Sequence, residues 1–341
     1  MSTLSPPIGG QILSDHMRGV IVCGLIGGFA IFGSQLYQAP VMLAAIILGL
    51  TVHFLSAIKE LQSGINWCAK NLLYIGVALL GLRIDIADLT HAGLPVLSLI
   101  LFTLVATISI GYVVSRSLGQ TKGFSFIIGG SVAICGVSAA AALCASMEEC
   151  KTRDQELAIT VAGITVLSTL VMLFYPVISQ AIGLNDMAAG TLMGGSIHNV
   201  SQAVGAGLAV SEHAGDIAVL TKLLRVSMLL PIVFIIAVLA GRRSASAEKS
   251  AAEKIKAYFP PFLVVFFILA TLSCMHVVPA QVTSIGSELA TVALVVSLVA
   301  IGIKTDLKEV ASVGVKPLIA MGITTVAMAA IVLAGIYILS I

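Results

Sequence analysis

Charge is scarce in this chain of 341 residues. Asp, Glu, Lys and Arg make up 10% of it, hydrophobic residues 58%, and the mean hydropathy is +1.10. No water-soluble domain of that length sustains such a balance, so the chain reads as an all-α polytopic membrane protein. The 18 basic and 16 acidic residues leave a net charge of +2 and form no basic patch, which excludes nucleic acid as a partner. No GxxxxGK[ST] segment is present to hold ATP, and HExxH and GxSxG are both missing, so the sequence offers no sign of an enzyme. CxxC pairs are absent as well. The cysteines at 23, 68, 135, 144, 150 and 274 fall mostly in apolar runs and read as buried thiols, with no cofactor or metal called for.

A further absence concerns the membrane interior. Asp85, Asp88, Glu148, Glu149, Glu156, Asp186, Asp216, Glu288 and Asp306 all fall at predicted helix ends or loops. A cation exchanged for protons needs a carboxylate near mid-membrane, so that chemistry is disfavoured. Histidine, hydroxyls, amides, backbone N–H groups and two cations remain available there, an inventory that suits an anion.

A span takes about 20 mostly apolar residues, and about eleven candidates satisfy this: 18–36, 39–58, 67–84, 94–115, 123–147, 157–181, 187–210, 217–240, 259–278, 283–303 and 316–340. Arg18 followed by VIVCGLIGGFAIFG has no A-x-A site after it and reads as a retained first helix, whose Gly24 and Gly28 form a GxxxG that suits either ordinary close packing or a dimer face. The stretch 241–257, GRRSASAEKSAAEKIKA, reads as a solvated linker. Alternating sides along these spans places thirteen basic residues with the N-terminus. Arg83, Lys151, Arg153, Lys222 and Arg225 fall opposite, which puts the N-terminus in the cytoplasm.

The chain also matches itself. Leu48-Gly-Leu-Thr-Val-His53-Phe-Leu-Ser56 aligns with Met193-Gly-Gly-Ser-Ile-His198-Asn-Val-Ser201, and the segment from Asn71 with the one from Lys222. The two matched spans run in opposite directions, so the repeat is inverted, a mark of secondary transporters with a site near the midplane. The division is a segment 1–38 with an extra helix, a repeat over 39–184 and a second over 185–341.

Within the fifth span lies Gly129 to Ala142, GGSVAICGVSAAAA, with Ser131, Cys135, Gly136 and Ser138. Its glycines weaken the helix and its later residues favour one, which predicts a break and a restart whose free N–H groups suit an anion. His198, Ser201, Gln202 and Gly205 share one face of the seventh span, either as a pathway wall or as interhelical hydrogen bonds, and Asn199 lies beside them. Lys222 and Arg225 open the eighth span on the outer side, where they either meet an anion or snorkel to the interface; alanine at either is expected to weaken anion binding and spare the fold. Arg83, Asp85 and Asp88 read as an edge cluster, and Pro176 and Pro231 either kink their helices or sit in them without effect.

The segments LLYIGVALLGLRI, SVAICGVSAAAA, GGSIHNVSQAVGAG and TKLLRVSMLLP resemble the YeiH-type sulfate exporter family, over nearly the whole chain. The resemblance implies the fold group of sodium/proton antiporters and bile-acid symporters, in which two inverted five-helix repeats place broken helices crossing at the centre. By that symmetry the span 283–303 is the mate of 123–147, although it carries no central glycine cluster. The resemblance also implies a homodimer in a bacterial inner membrane, surrounded by lipid, and export of sulfate or a related oxyanion by alternating access. A cation/proton antiporter of the same fold and an anion channel stay as alternatives.

Overall fold

The computed structural model describes residues 8–37, 40–83, 86–146, 153–228, 232, 261–275, 277–305 and 314–341. Asp85, Glu148, Glu149, Cys150, Lys151, Pro231, Asp306 and the linker 241–257 lie outside the described residues, as does the side chain of Asp88. Every regular element described is helical: α1 (Ile8–Tyr37), α2 (Val41–Thr51), α3 (Lys59–Arg83), α4 (Ile86–Ser117), α5 (Lys122–Ala133), α6 (Val137–Ser146), α7 (Arg153–Ala181), α8 (Asp186–Ser196), α9 (Val200–Val210), α10 (Glu212–Ser227), α11 (Pro261–Cys274), α12 (Ala280–Lys304) and α13 (Val315–Leu339). Among the described residues six helices are long and apolar enough to cross a membrane, and several shorter apolar ones accompany them. The all-α polytopic class holds.

Two bodies emerge from the packing. Helices α1, α2, α3, α11 and α12 form a panel, drawn together where glycines remove the side chain between backbones: Gly19 on Gly64, Gly49 on Gly302, and Gly76 on Leu294. The second body is a core in which α4, α7, α10 and α13 surround two interrupted segments, α5/α6 and α8/α9. Its contact with the panel runs through α9, which packs on α2 and α12, and through α10 against α3.

The interrupted segments double back. A straight helix through α8 and α9 would hold Gly190 and Gly207 about 25 Å apart, yet both abut the same Ala214 carbonyl of α10. In the same way Gly130 of α5 touches the side chain of Leu143 in α6, and Thr121 before α5 donates to Glu156 at the start of α7, 3.4 Å away. Each pair is therefore a re-entrant helical hairpin. They enter from opposite ends: along α13, Ala320 and Met321 pack with Phe124 and Ile128 of the first hairpin, while Val332 and Ile336 pack with Ala188 and Leu192 of the second. The tips meet between them.

The break expected within Gly129 to Ala142 is thus present, at Ile134–Gly136. Its counterpart is not in 283–303, where α12 is one unbroken 25-residue helix, as its run of β-branched and leucine residues without a central glycine allows. The second interruption lies at Ile197–Asn199, in extended backbone. Because the first hairpin returns to the end it came from, Arg153 shares an end with Lys122 instead of lying opposite it.

Candidate functional site at the hairpin tips

The first tip is built by a glycine. After Ala133 the chain turns at Ile134, whose N–H donates to the Gly130 carbonyl (3.1 Å), and Gly136 adopts φ +72° while its N–H reaches back to Ser131 (2.8 Å). That left-handed residue ends α5 in the way glycine ends helices generally. A Cβ at this position would also press on Ile164 and on His198 of the other tip, so the two tips are in contact through Gly136. Helix α6 restarts at once, at Val137.

The second tip is built by an N-cap. The Asn199 side chain accepts from the Ser201 N–H (3.3 Å) and the Ser201 hydroxyl (3.1 Å), which opens α9. Three hydroxyls on neighbouring helices position it: Ser168 accepts from the Asn199 N–H (3.2 Å), Thr169 from the Gln202 amide (2.9 Å), and Thr325 pairs with His198 Nε2 (3.0 Å).

Lys222 and Arg225, both fully buried, bind the two tips together. Lys222 Nζ donates to the carbonyls of Ile134 (3.1 Å) and Ile197 (2.7 Å). Arg225 donates through Nε to Ala133 (2.6 Å), through Nη2 to Val132 (2.6 Å) and Met328 Sδ (3.1 Å), and through Nη1 to Gly195 (2.9 Å) and Ile197 (3.3 Å). The sequence reading put these cations at the membrane edge because it began their helix at residue 217. With α10 starting at Glu212, Lys222 lies about 15 Å along it, at the level of the tips. Snorkelling is overturned, since neither side chain reaches the surface.

A relation between the tips explains the shared cations. Ile134-Cys-Gly-Val-Ser138-Ala-Ala140 aligns with Ile197-His-Asn-Val-Ser201-Gln-Ala203, 63 residues apart. In that register Ile134 matches Ile197 and Val132 matches Gly195, so each cation bridges equivalent carbonyls of the two hairpins. This match was in the sequence, masked by the longer alignment of Leu48–Ser56. The structure puts that other segment in the panel, where His53 Nδ1 pairs with the Ile303 carbonyl at 2.7 Å.

All ten site residues singled out from the sequence, Ser131, Cys135, Gly136, Ser138, His198, Asn199, Ser201, Gln202, Lys222 and Arg225, lie on the two hairpins or on α10 where it meets the tips. Buried polar atoms among them still lack a partner: Ser131 Oγ, His198 Nδ1 and Gln202 Oε1. Val137 and Ser138 at the start of α6 are exposed, and Cys135, Asn199 and Val200 are half-buried. Ser168, Thr169, Thr325 and Met328 were missed. Nothing in the sequence distinguishes them from other lone polar or soft residues in apolar helices.

Electrostatically the centre carries an excess of positive charge. The C-terminal ends of α5 and α8 contribute about half a negative charge each and the N-terminal ends of α6 and α9 about half a positive charge each, to which Lys222 and Arg225 add two full charges. Among the described residues no carboxylate pairs with either cation, and no cluster of three metal-binding side chains occurs. Arg83, placed with Asp85 and Asp88 by the sequence reading, instead pairs with Glu212 (3.0 Å) and Asp216 (3.2 Å) of α10.

Known proteins share this sequence over its whole length. A UPF0324 membrane protein of Chlorobaculum tepidum is 38% identical, covering 96% of this chain and 92% of its own. The UPF0324 membrane protein TauZ of Paracoccus denitrificans is 36% identical over 99% of both chains, and the inner membrane protein YeiH of Escherichia coli is 26% identical over 91% and 90%. The family described as conserved hypothetical protein 698 matches residues 18–321. This chain belongs to that family, the one that includes the YeiH-type inner membrane proteins.

Proposed function

We propose that the protein is a secondary transporter that exports a small inorganic oxyanion, sulfate or a sulfite-like anion, by alternating access at the hairpin tips. The observation that carries this reading is the pair of buried cations at the meeting point of two re-entrant hairpins, with no carboxylate among the described residues to neutralise them. The starts of α6 and α9 lie at the same tips, with Ser138 exposed at the first of them, the arrangement by which half-helices hold anionic groups.

The hairpin geometry also favours a cytoplasmic N-terminus. Lys59, Arg116, Lys122, Arg153, Lys304 and Lys316 gather at one end of the bundle, and Arg83 lies at the other. With Lys222 and Arg225 removed to the interior, the asymmetry expected of cytoplasmic loops is sharper than the raw count. In this orientation the first hairpin enters from the cytoplasm, and a homodimer in the inner membrane completes the reading.

The test is flux in liposomes containing the purified chain, with labelled sulfate, sulfite and thiosulfate under imposed pH and sodium gradients. Saturable flux of at least one oxyanion is expected, at rates compatible with rocking motions. Sodium/proton exchange without oxyanion flux would return the protein to the cation antiporters, and flux at channel rates to the pores.

A further inference from the structure

Carbonyl oxygens collected where half-helices end make a cage for a cation, because helix C-termini and unwound backbone concentrate partial negative charge. The tips of this protein hold such a cage. The carbonyls of Val132, Ala133 and Ile134 of the first hairpin and of Gly195 and Ile197 of the second line the space between the tips, and each is met by an N–H of Lys222 or Arg225, that of Ile197 by both.

We propose that Lys222 and Arg225 fill the cage in place of a free metal cation, so that the tips are built without sodium and the anion moves without sodium as a coupling ion. The second clause rests on the transporter reading above; the first stands on the geometry alone. Two features of the cage support it. The cations occupy equivalent carbonyls of both hairpins, Ile134 with Ile197 and Val132 with Gly195, so neither tip keeps a vacant copy of the position. Both also project from one helix, α10, one turn apart, and the guanidinium is permanently charged, which repels a third cation from the same point.

The stoichiometry of donors sharpens the assignment. Arg225 directs Nε and both Nη groups at protein acceptors, leaving it no free face for substrate. Lys222 uses two of its three N–H groups on carbonyls, so one N–H is left to point at an anion or a water. Arg225 is therefore a positioning residue for the tips, and Lys222 the one cation that serves the cage and the anion together.

Thermal melting of the purified full-length chain in equal concentrations of sodium chloride and choline chloride tests the cage. The wild type is expected to melt at the same temperature in both salts. Lys222→Ala empties the ammonium position, and sodium is expected to raise its midpoint by about 4 °C or more over choline. Lys222→Arg restores a tethered cation and is expected to lose that response. Should Lys222→Ala not purify as folded protein, Lys222→Gln is read in the same way. A wild type stabilised by sodium, or an uncharged variant at 222 that sodium leaves unmoved, overturns the proposal. Flux of labelled sulfate or sulfite in liposomes supplies the second arm, and an unchanged rate when choline replaces sodium is expected. Anion flux that requires a sodium gradient would overturn the sodium-free cage and leave the transporter standing. Absence of oxyanion flux with the melting pattern intact would remove the transporter reading and support the cage.

Discussion

At the scale of single residues, two members of the tips hold the backbone in place. Gly136 builds: its φ of +72° excludes an ordinary side chain, and a Cβ there meets Ile164 and His198. Gly136→Ala combines left-handed strain with overpacking, a loss of roughly 2–4 kcal/mol, and is expected to lower the melting midpoint and slow oxyanion flux together. Arg225 builds as well. Removing its guanidinium leaves the buried carbonyls of Val132, Ala133 and Gly195 without donors, at about 1–3 kcal/mol each. Arg225→Ala is therefore expected to yield protein that fails to fold or aggregates in size-exclusion chromatography, contrary to the sequence-based expectation that alanine here spares the fold. Arg225→Lys keeps the charge and loses the fork that spans both hairpins, so a folded but less stable protein is expected. The residue types of the site were legible in the sequence because buried polar side chains in hydrocarbon are rare. Their roles were not, because a cation that binds substrate and one that caps carbonyls look alike without the partner atoms.

At the scale of elements, glycine decides how closely the second hairpin can sit on α10. Gly190, Gly194 and Gly207 each bring backbone against backbone or Cβ along Ala214 to Lys222, which lets α8 and α9 flank the same helix and holds the Gly195 carbonyl within reach of Arg225. Gly194→Val puts a side chain onto the Ala218 carbonyl and Thr221, atoms that cannot swing aside, and a loss of about 3 kcal/mol is expected in a melting or denaturant measurement. Gly28→Val in α1 is the control, since nothing lies within 4 Å of a Cβ there; its midpoint should match the wild type. The contrast bears on legibility. A pattern of 32 glycines marked the chain as closely packed, but hydropathy reads a re-entrant hairpin and a broken spanning helix identically: both are some 25 apolar residues with a weak middle. What distinguishes them is whether the two arms touch, and only the contacts of Gly130 with Leu143 and of Gly190 and Gly207 with Ala214 settle it. The seven-residue match of the tips, at an offset of 63, is legible in the sequence. The longer alignment of Leu48–Ser56 competes with it for the same second segment.

At the scale of the whole molecule, panel and core are tied at one end by charge. Arg83, from the last turn of α3, pairs with Asp216 and Glu212 of α10; the arginine and Asp216 side chains are about nine-tenths buried, while Glu212 is open to solvent. Beside this tie α9 packs on α2 and α12, with Gly205 against Leu298. On the transport proposed above, alternating access requires the core to move along the panel and the tie to break, because α3 and α10 belong to different bodies. A buried ion pair is costly to split by removing one partner, roughly 3–5 kcal/mol, yet contributes little as a whole, so it suits a contact that must be strong when closed and forgone when open. Cysteines at both positions, Arg83→Cys with Asp216→Cys in a chain lacking its native cysteines, test this. Oxidation is expected to cut oxyanion flux at least about tenfold by denying the second state, and reduction to restore it. The exchanged pair, Arg83→Asp with Asp216→Arg, is expected to keep more flux than either single change. Undiminished flux in the cross-linked protein would mean that panel and core do not separate there, and that the tips open by bending of the hairpins alone.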